Sequence, residues 1–255
     1  MIDSHCHLDV AAFDEDRAEV LARAATAGVE RILVPAIRPA TWAGLRAVVD
    51  GDARCLAAYG AHPQIVPELD EDEWRALGDG RLAAALAEGA VAVGECGLDG
   101  RTGDHPAQER ALALQIAVAR ELRLPLVVHV LHAHDAAPRV LREARAAEVG
   151  GILHSYSGPP ELIPVYRDLG FAFSFAGPVT YANARKPVAA ARAVPAELLL
   201  AETDAPDQAP VPHRGRRSEP AFVAEVVAGL AAARGEPVAE IARLTAANAR
   251  RILSR

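Results

Sequence analysis

Residues 125–147 read PLVVHVLHAHDAAPRVLREARAA. The run PLVVHV is short, apolar and β-like, and the reactive side chain of His129 falls at its end. Residues 135–147 then repeat Ala, Leu and Arg with helical period. This is one β-then-α unit, and it recurs along the chain. Eight β-like runs (MIDSH, RILVPA, CLAAYG, VAVGE, PLVVHV, GILHS, FAFSF and LLLAE) alternate with helical segments such as 14–27, 105–123 and 159–169. Gly28, Gly89 and Gly170 stand where helix ends are expected. Eight such units in 255 residues predict an α/β fold, a (βα)8 TIM barrel formed by one domain over 1–255. A doubly wound open sheet is the competing arrangement. No Pro/Gly-rich linker divides the chain. Residues 205–219, APDQAPVPHRGRRSE with Ala205 at their head, predict a long irregular loop after the last strand, and 219–234 and 237–253 predict closing helices.

Composition narrows the function. The formal charge of −7 argues against a general nucleic-acid coat, which needs a broad basic face, but leaves room for a local basic site. Cys6, Cys55 and Cys96 are too few and too scattered for a disulfide framework. The start MIDSHC has neither a basic n-region nor an apolar h-region, and no apolar run reaches the roughly 18 residues of a membrane span. The expectation is a cytoplasmic protein with no membrane partner and no obligate protein partner.

The reactive residues follow the strand order. His5 and His7 end the first strand, His62 follows the third, Glu95 ends the fourth, His129 the fifth and His154 the sixth, and Asp204 follows the eighth. In a (βα)8 barrel these strand ends converge on one face, so scatter along the chain becomes a cluster in space. Four imidazoles and two carboxylates suit zinc, manganese or iron better than calcium. Six ligands exceed what one catalytic ion with an open position takes. They suit two ions about 3.5–4 Å apart with a bridging carboxylate, and hydrolysis is the reaction class that follows. Glu95, central in strand order, is the expected bridge.

Each residue also has a plainer reading. A lone His129 in PLVVHVL would be a core histidine, and Asp204 in AETDAP could cap a turn. Six recurrences of the strand-end position weigh against both. His62 in GAHPQ is either a substrate contact or a loop histidine. His132 and His134 in HVLHAHD lie past the strand and are expected to be loop residues, with Asp135 as a helix N-cap. His105 reads as a helix-start residue, and His213 as a loop residue facing substrate or solvent. His5 and His7, two apart on an extended segment, point to one side, so Cys6 points into the strand–helix packing, and Cys96 stands in the same relation to Glu95.

The motifs DSHCHLD, GAHPQ, GECGLD, LPLVVH, LHSYSG, LLLAETDAP and RGRRSEP, in this order and approximate spacing, resemble the TatD-family metal-dependent deoxyribonucleases, which are amidohydrolase-like barrels. The resemblance covers nearly the whole chain. It implies one metal held by His5, His7, Glu95 and Asp204, and a second held by Glu95, His129 and His154. Two divalent ions follow, with Mg²⁺, Mn²⁺ and Zn²⁺ as the candidates. It implies Asp204 as the group that orients the nucleophilic water or takes its proton, and His62 at the mouth near substrate phosphate. The implied activity is hydrolysis of phosphodiesters at nucleic-acid ends, DNA and in some members RNA, often from the 3′ end. Some members act on D-aminoacyl-tRNA. Three positions depart from the family pattern. Leu131 stands where an arginine is common two residues after the fifth-strand histidine, Gly100 where an aromatic often follows GLD, and Ser218 where asparagine is usual. The missing arginine removes a charge-assisted phosphate contact.

Phosphate contacts are therefore sought on other loops. HRGRRSEP offers Arg214, Arg216 and Arg217, YANARKP offers Arg185 and Lys186, and SYSG places Tyr156 and Ser157 beyond a metal ligand. The alternative for the first loop is a solvated basic stretch pairing with Glu219 and Asp207. Phe13, Trp42, Tyr156 and Tyr181 are the few aromatics available for base stacking, which favours a short grip on a strand end over extensive single-strand binding. Two other classes compete. A hydrolase of C–N bonds often bridges its metals with a carboxylated lysine, but the only lysine is Lys186, after the seventh strand. That position also argues against a Schiff-base aldolase. A non-catalytic member of a nucleic-acid complex is the last alternative, disfavoured by the complete ligand set.

Overall fold

A computed structural model of the chain describes residues 1–254. Eight parallel strands pair in chain order: β1 (Ile2–Asp3), β2 (Arg31–Pro35), β3 (Cys55–Tyr59), β4 (Ala92–Asp99), β5 (Leu126–Leu131), β6 (Gly151–Leu153), β7 (Phe171–Phe175) and β8 (Leu199–Ala201). The segments following β1 and β8 meet. The Ser4 amide donates to the Ala201 carbonyl at 3.2 Å, the His7 amide to Ala205 at 2.8 Å, and the Asp204 amide to His5 at 2.9 Å. The sheet is therefore the wall of a (βα)8 barrel, and the doubly wound alternative is excluded.

The helices lie between the strands as the periodicity predicts. Arg17–Thr26, His105–Leu122, Val223–Arg234 and Val238–Leu253 fill four of the expected segments. The segment 135–147 is shorter than its pattern: the helix is Ala137–Glu143, followed by a 3-10 turn at Ala146–Glu148. Its N-cap is Ala136, so Asp135 does not cap it. The segment 159–169 is a 3-10 turn at Pro160–Leu162 running into the helix Ile163–Asp168. No helix among the described residues is long and apolar enough to cross a membrane.

Inside the barrel, each strand contributes one residue to a buried apolar layer: Ile2, Leu33, Ala58, Ala92, Val127, Ile152, Ala172 and Leu200. Ala246, Ala249 and Leu253 of the last helix close this layer from below. Side chains alternate along a strand, so the next inward positions are two residues on. These are His129 after Val127, His154 after Ile152, Ser174 after Ala172 and Glu202 after Leu200. The interior thus changes from apolar to polar within one layer.

β4 does not follow this alternation. Counting by two from Ala92 would turn Glu95 outward. The pairing with β5 shifts instead, from Val93 opposite Leu126 to Cys96 opposite Val128, so β4 gains one residue over its neighbour. After this irregularity Glu95 and Asp99 lie inside, while Cys96 and Leu98 join the apolar layer facing the helices. Glu95 is thus not at the strand end, because β4 continues four residues further. Gly94 permits the irregularity: its φ is +150°, and a Cβ there would stand 2.6 Å from the Val127 carbonyl oxygen.

Candidate metal centre

The two carboxylate oxygens of Glu95 face two separate sets of imidazoles. Oε2 lies 3.0 Å from Nε2 of His5 and 3.3 Å from Nε2 of His7, and those two nitrogens are 3.1 Å apart. Oε1 lies 2.8 Å from Nε2 of His154, 3.2 Å from Nδ1 of His129 and 2.9 Å from Nε2 of His62. Asp204 approaches the first set, with Oδ1 at 3.7 Å from His5 and 3.8 Å from His7. Glu95 and His5 are fully buried, yet neither oxygen of the carboxylate makes a hydrogen bond of good geometry. A buried charge without hydrogen bonds is costly. Donor atoms sharing one zinc ion at about 2.0–2.1 Å stand about 3–3.4 Å from one another, the spacing found here. His5, His7 and Glu95 stand close enough to hold one ion, as do His62, Glu95 and His129 on the Oε1 side, while His154 groups with His5 and Glu202.

The far nitrogen of each ring decides what its near nitrogen can do. His7 Nδ1 faces the Pro35 carbonyl at 3.2 Å, His129 Nε2 faces Asp99 at 3.3 Å, and His154 Nδ1 faces Glu202 at 3.5 Å. The Pro35 carbonyl takes the proton of His7 Nδ1, while the carboxylates beside His129 and His154 stand near the far nitrogens without a hydrogen bond of good geometry. With its proton on the far nitrogen each ring would turn a lone pair toward Glu95. His62 is reversed. Its Nδ1 accepts the Gln64 amide at 3.1 Å, so its proton sits on Nε2, the nitrogen on the Glu95 side of the ring. His62 is a donor in this site, unsuited to ligation through Nε2.

Burial raises the Glu95 carboxyl pKa, but the imidazoles of His154, His62 and His5 outweigh it and hold the group well below the usual carboxylate range. His5 and His62 are held below the ordinary histidine value, chiefly by burial. Cys6 and Cys96 are buried in the apolar layer, and burial pushes both thiols up. Neither faces the Glu95 carboxylate.

Four polar residues around the centre were not among the sequence expectations. Asp3, fully buried, accepts from the Thr203 hydroxyl at 2.6 Å and the Thr203 amide at 2.9 Å, tying β1 to the end of β8. Glu202 accepts the Ser155 amide at 2.6 Å behind His154. Asp99 accepts from Gln64 at 2.8 Å behind His129. Gln208 donates to Asp204 Oδ2 and bonds Ser155 Oγ at 2.8 Å. Strand parity carried the signal for Glu202, two residues past the inward Leu200, but Asp3 and Thr203 are 200 positions apart and neither motif names the other.

Above the centre opens a cavity of about 520 Å³, lined in part by His7, His62, Glu95, His129, His154 and Asp204. Tyr156 and Ser157 line it as well, with the Tyr156 hydroxyl turned to the Pro159 carbonyl at 2.8 Å. Arg214 and Arg216 do not line it. Arg214 lies over the Tyr181 ring at 4.5 Å, and Arg216 is exposed. Arg217 pairs with Asp16 at 2.6 Å, while Glu219 pairs with Arg23 at 2.7 Å, so the basic loop takes neither Glu219 nor Asp207 as its partner. His213 stacks on Phe222 at 3.6 Å and approaches Glu225 at 3.2 Å. His134 Nδ1 is hydrogen-bonded with the Tyr166 hydroxyl at 2.9 Å, and His105 opens its helix. Phe13 is fully buried, and the Trp42 indole donates to Gly60 at 3.0 Å. Neither offers a base-stacking platform.

A family model described as "TatD related DNase" matches residues 2–254. The chain belongs to this family. Among its relatives is the uncharacterized metal-dependent hydrolase YabD of Bacillus subtilis, 34% identical over 99% of this chain and 98% of that protein. The 3'-5' ssDNA/RNA exonuclease TatD of Rahnella sp. is 30% identical, covering 100% of this chain and 98% of that one. The crystal structure of YJJV, a TatD homolog from Escherichia coli, superposes with a TM-score of 0.90 at 31% identity, over 100% of this chain and 98% of the other.

Proposed function

We propose that this TatD-family protein is a hydrolase dependent on two divalent metal ions, cleaving phosphodiesters at nucleic-acid ends. The observation that carries the proposal is the division of the Glu95 carboxylate, one oxygen toward His5 and His7 and the other toward His129 and His154. Glu95 is the bridge in this reading. His5, His7 and Asp204 complete one site, and His129 and His154 the other. Bound there, such a pair supplies Lewis acidity and makes water acidic enough to serve as nucleophile near neutral pH.

The chain's own groups do the rest. Asp204, at the cavity floor, takes the proton of the attacking water, and Gln208 fixes its carboxylate from behind. His62, with its proton on Nε2, donates to a phosphate oxygen of the substrate. Tyr156 and Ser157 shape the wall that receives the strand end. The relatives named as 3'-5' ssDNA/RNA exonucleases support a 3′ end as the point of attack.

The test uses the purified protein with Mg²⁺, Mn²⁺ or Zn²⁺ on short 3′- and 5′-labelled DNA and RNA, with a D-aminoacyl-tRNA in parallel. Metal-dependent shortening from the 3′ end is expected. Absence of cleavage of DNA and RNA with all three metals would overturn the phosphodiesterase reading, and turnover of the D-aminoacyl-tRNA alone would replace it with a deacylase.

A further inference from the structure

The cavity over the metal centre has an uneven charge distribution. Ile37, Ile65, Leu131, Phe175, Val179 and Pro187 give it apolar walls. Among the described residues, one lysine or arginine lines it: Arg101, on the turn after β4. On the loop after β8, Arg217 is spent on Asp16 and the Phe13 ring and Arg214 on the Tyr181 ring, and Arg216 is exposed away from the cavity lining. An anion entering this cavity therefore meets one guanidinium.

Arg101 is held in a defined place. Its Nη2 donates to Asp99 Oδ2 at 3.1 Å, its Nε to Oδ1 at 3.3 Å, and its own amide to Oδ1 at 2.9 Å. Nη1 makes no hydrogen bond among the described residues, and the side chain is 56% exposed. Asp99, fully buried, is the same carboxylate that faces His129 Nε2 and accepts from Gln64. The turn reaches this position because residue 100 is glycine. Its amide donates to the Leu131 carbonyl at 2.7 Å, and a Cβ there would stand 2.2 Å from the His132 carbonyl oxygen. Gly100, Leu131 and Arg101 thus form one corner. The end of β5 carries no charge at residue 131, and the turn after β4 supplies it.

We propose that Arg101 is the substrate-anion contact of this site, and that the site takes a single phosphate with its terminal nucleotide. This rests on the phosphodiester reading above. Asp99 orients the guanidinium with its Nε edge, leaving Nη1 for a phosphate oxygen, and the apolar walls receive the attached nucleoside. One guanidinium and short apolar walls suit one nucleotide, not a long tract of strand.

The test compares the metal-loaded wild type with Arg101→Ala, Arg101→Gln and the double variant Arg101→Ala/Leu131→Arg. Two measurements are made, dAMP affinity by calorimetry and steady-state kinetics on 3′-labelled single-stranded DNA. Loss of one charged hydrogen-bond partner should weaken dAMP binding about ten- to hundredfold and raise KM by a similar factor. kcat and metal content should stay as in wild type. Arg101→Gln, which keeps a donor to Asp99, should show the same loss, and Leu131→Arg should restore part of it. Equal dAMP affinity in wild type and both single variants would overturn the proposal, as would a wild type that binds no dAMP. A fall in metal content accompanying the loss would also overturn it, by making Arg101 a support for His129. A wild type that binds dAMP through Arg101 but cleaves no nucleic acid would overturn the phosphodiesterase reading alone.

Discussion

His62 shows how a single hydrogen bond assigns a role. The five histidines around Glu95 differ little in sequence context, and MIDSHCH and GAHPQ both place histidine after a strand. The Gln64 amide on Nδ1 sets His62 apart as a donor, a distinction local to the 3-10 turn Pro63–Glu68 and invisible in ligand spacing. His134 shows the same principle away from the centre. Its Nδ1 is hydrogen-bonded with the Tyr166 hydroxyl, and burial lowers its pKa from 6.5 to about 4. The unfolded chain therefore binds a proton below about 6.5 that the folded chain refuses until about 4. Stability from this group is fully present above 6.5 and is lost as pH falls across that interval. Replacing His134 with Gln should flatten the decline of Tm between these pH values. An unchanged slope would show that His134 does not titrate in this way.

At the level of elements, β4 contains the step that sequence periodicity misses. All eight strands were legible as apolar runs, because a strand buried on both faces needs continuous hydrophobicity. The depth of Glu95 was not, because an added residue reverses the parity of everything after it. The glycine of VAVGEC is its trace in the sequence, but a glycine in a strand can mean several things. Gly94→Ala should cost about 2–4 kcal/mol, combining an unfavourable φ with a backbone clash. Gly28→Ala, with φ +81° and nothing within 4 Å of its Cβ, should cost only the conformational part, about 1–2 kcal/mol. Equal losses in urea unfolding of the two variants would mean that β4 can shift to accommodate the methyl. The basic loop was legible as a loop, but not its partners. Arg217 reaches Asp16, 201 positions away, and pairings of that span follow from the closed barrel, not from local pattern.

Over the whole molecule, the barrel converts a dispersed set of residues into a cluster. His5 and Asp204 lie far apart along the chain, and they meet because the segments after β1 and β8 are hydrogen-bonded neighbours at the seam. That much followed from eight βα units alone, since strand ends of a (βα)8 barrel share one face. Closure also explains the carboxylates that lie behind the imidazoles. Asp99 lies inward at the end of β4 and Glu202 inward just beyond β8, and each faces a ring contributed by a different strand. The division of Glu95 between two ligand sets is the central claim, and metal counting tests it most directly. Protein stripped with chelator, reloaded with excess Zn²⁺ or Mn²⁺ and desalted should carry two ions per chain by elemental analysis. Anomalous diffraction should place them on either side of the Glu95 carboxylate, and Glu95→Ala should lose both or retain one weakly. A single ion in the wild type, or two ions retained at full occupancy in Glu95→Ala, would contradict the bridge.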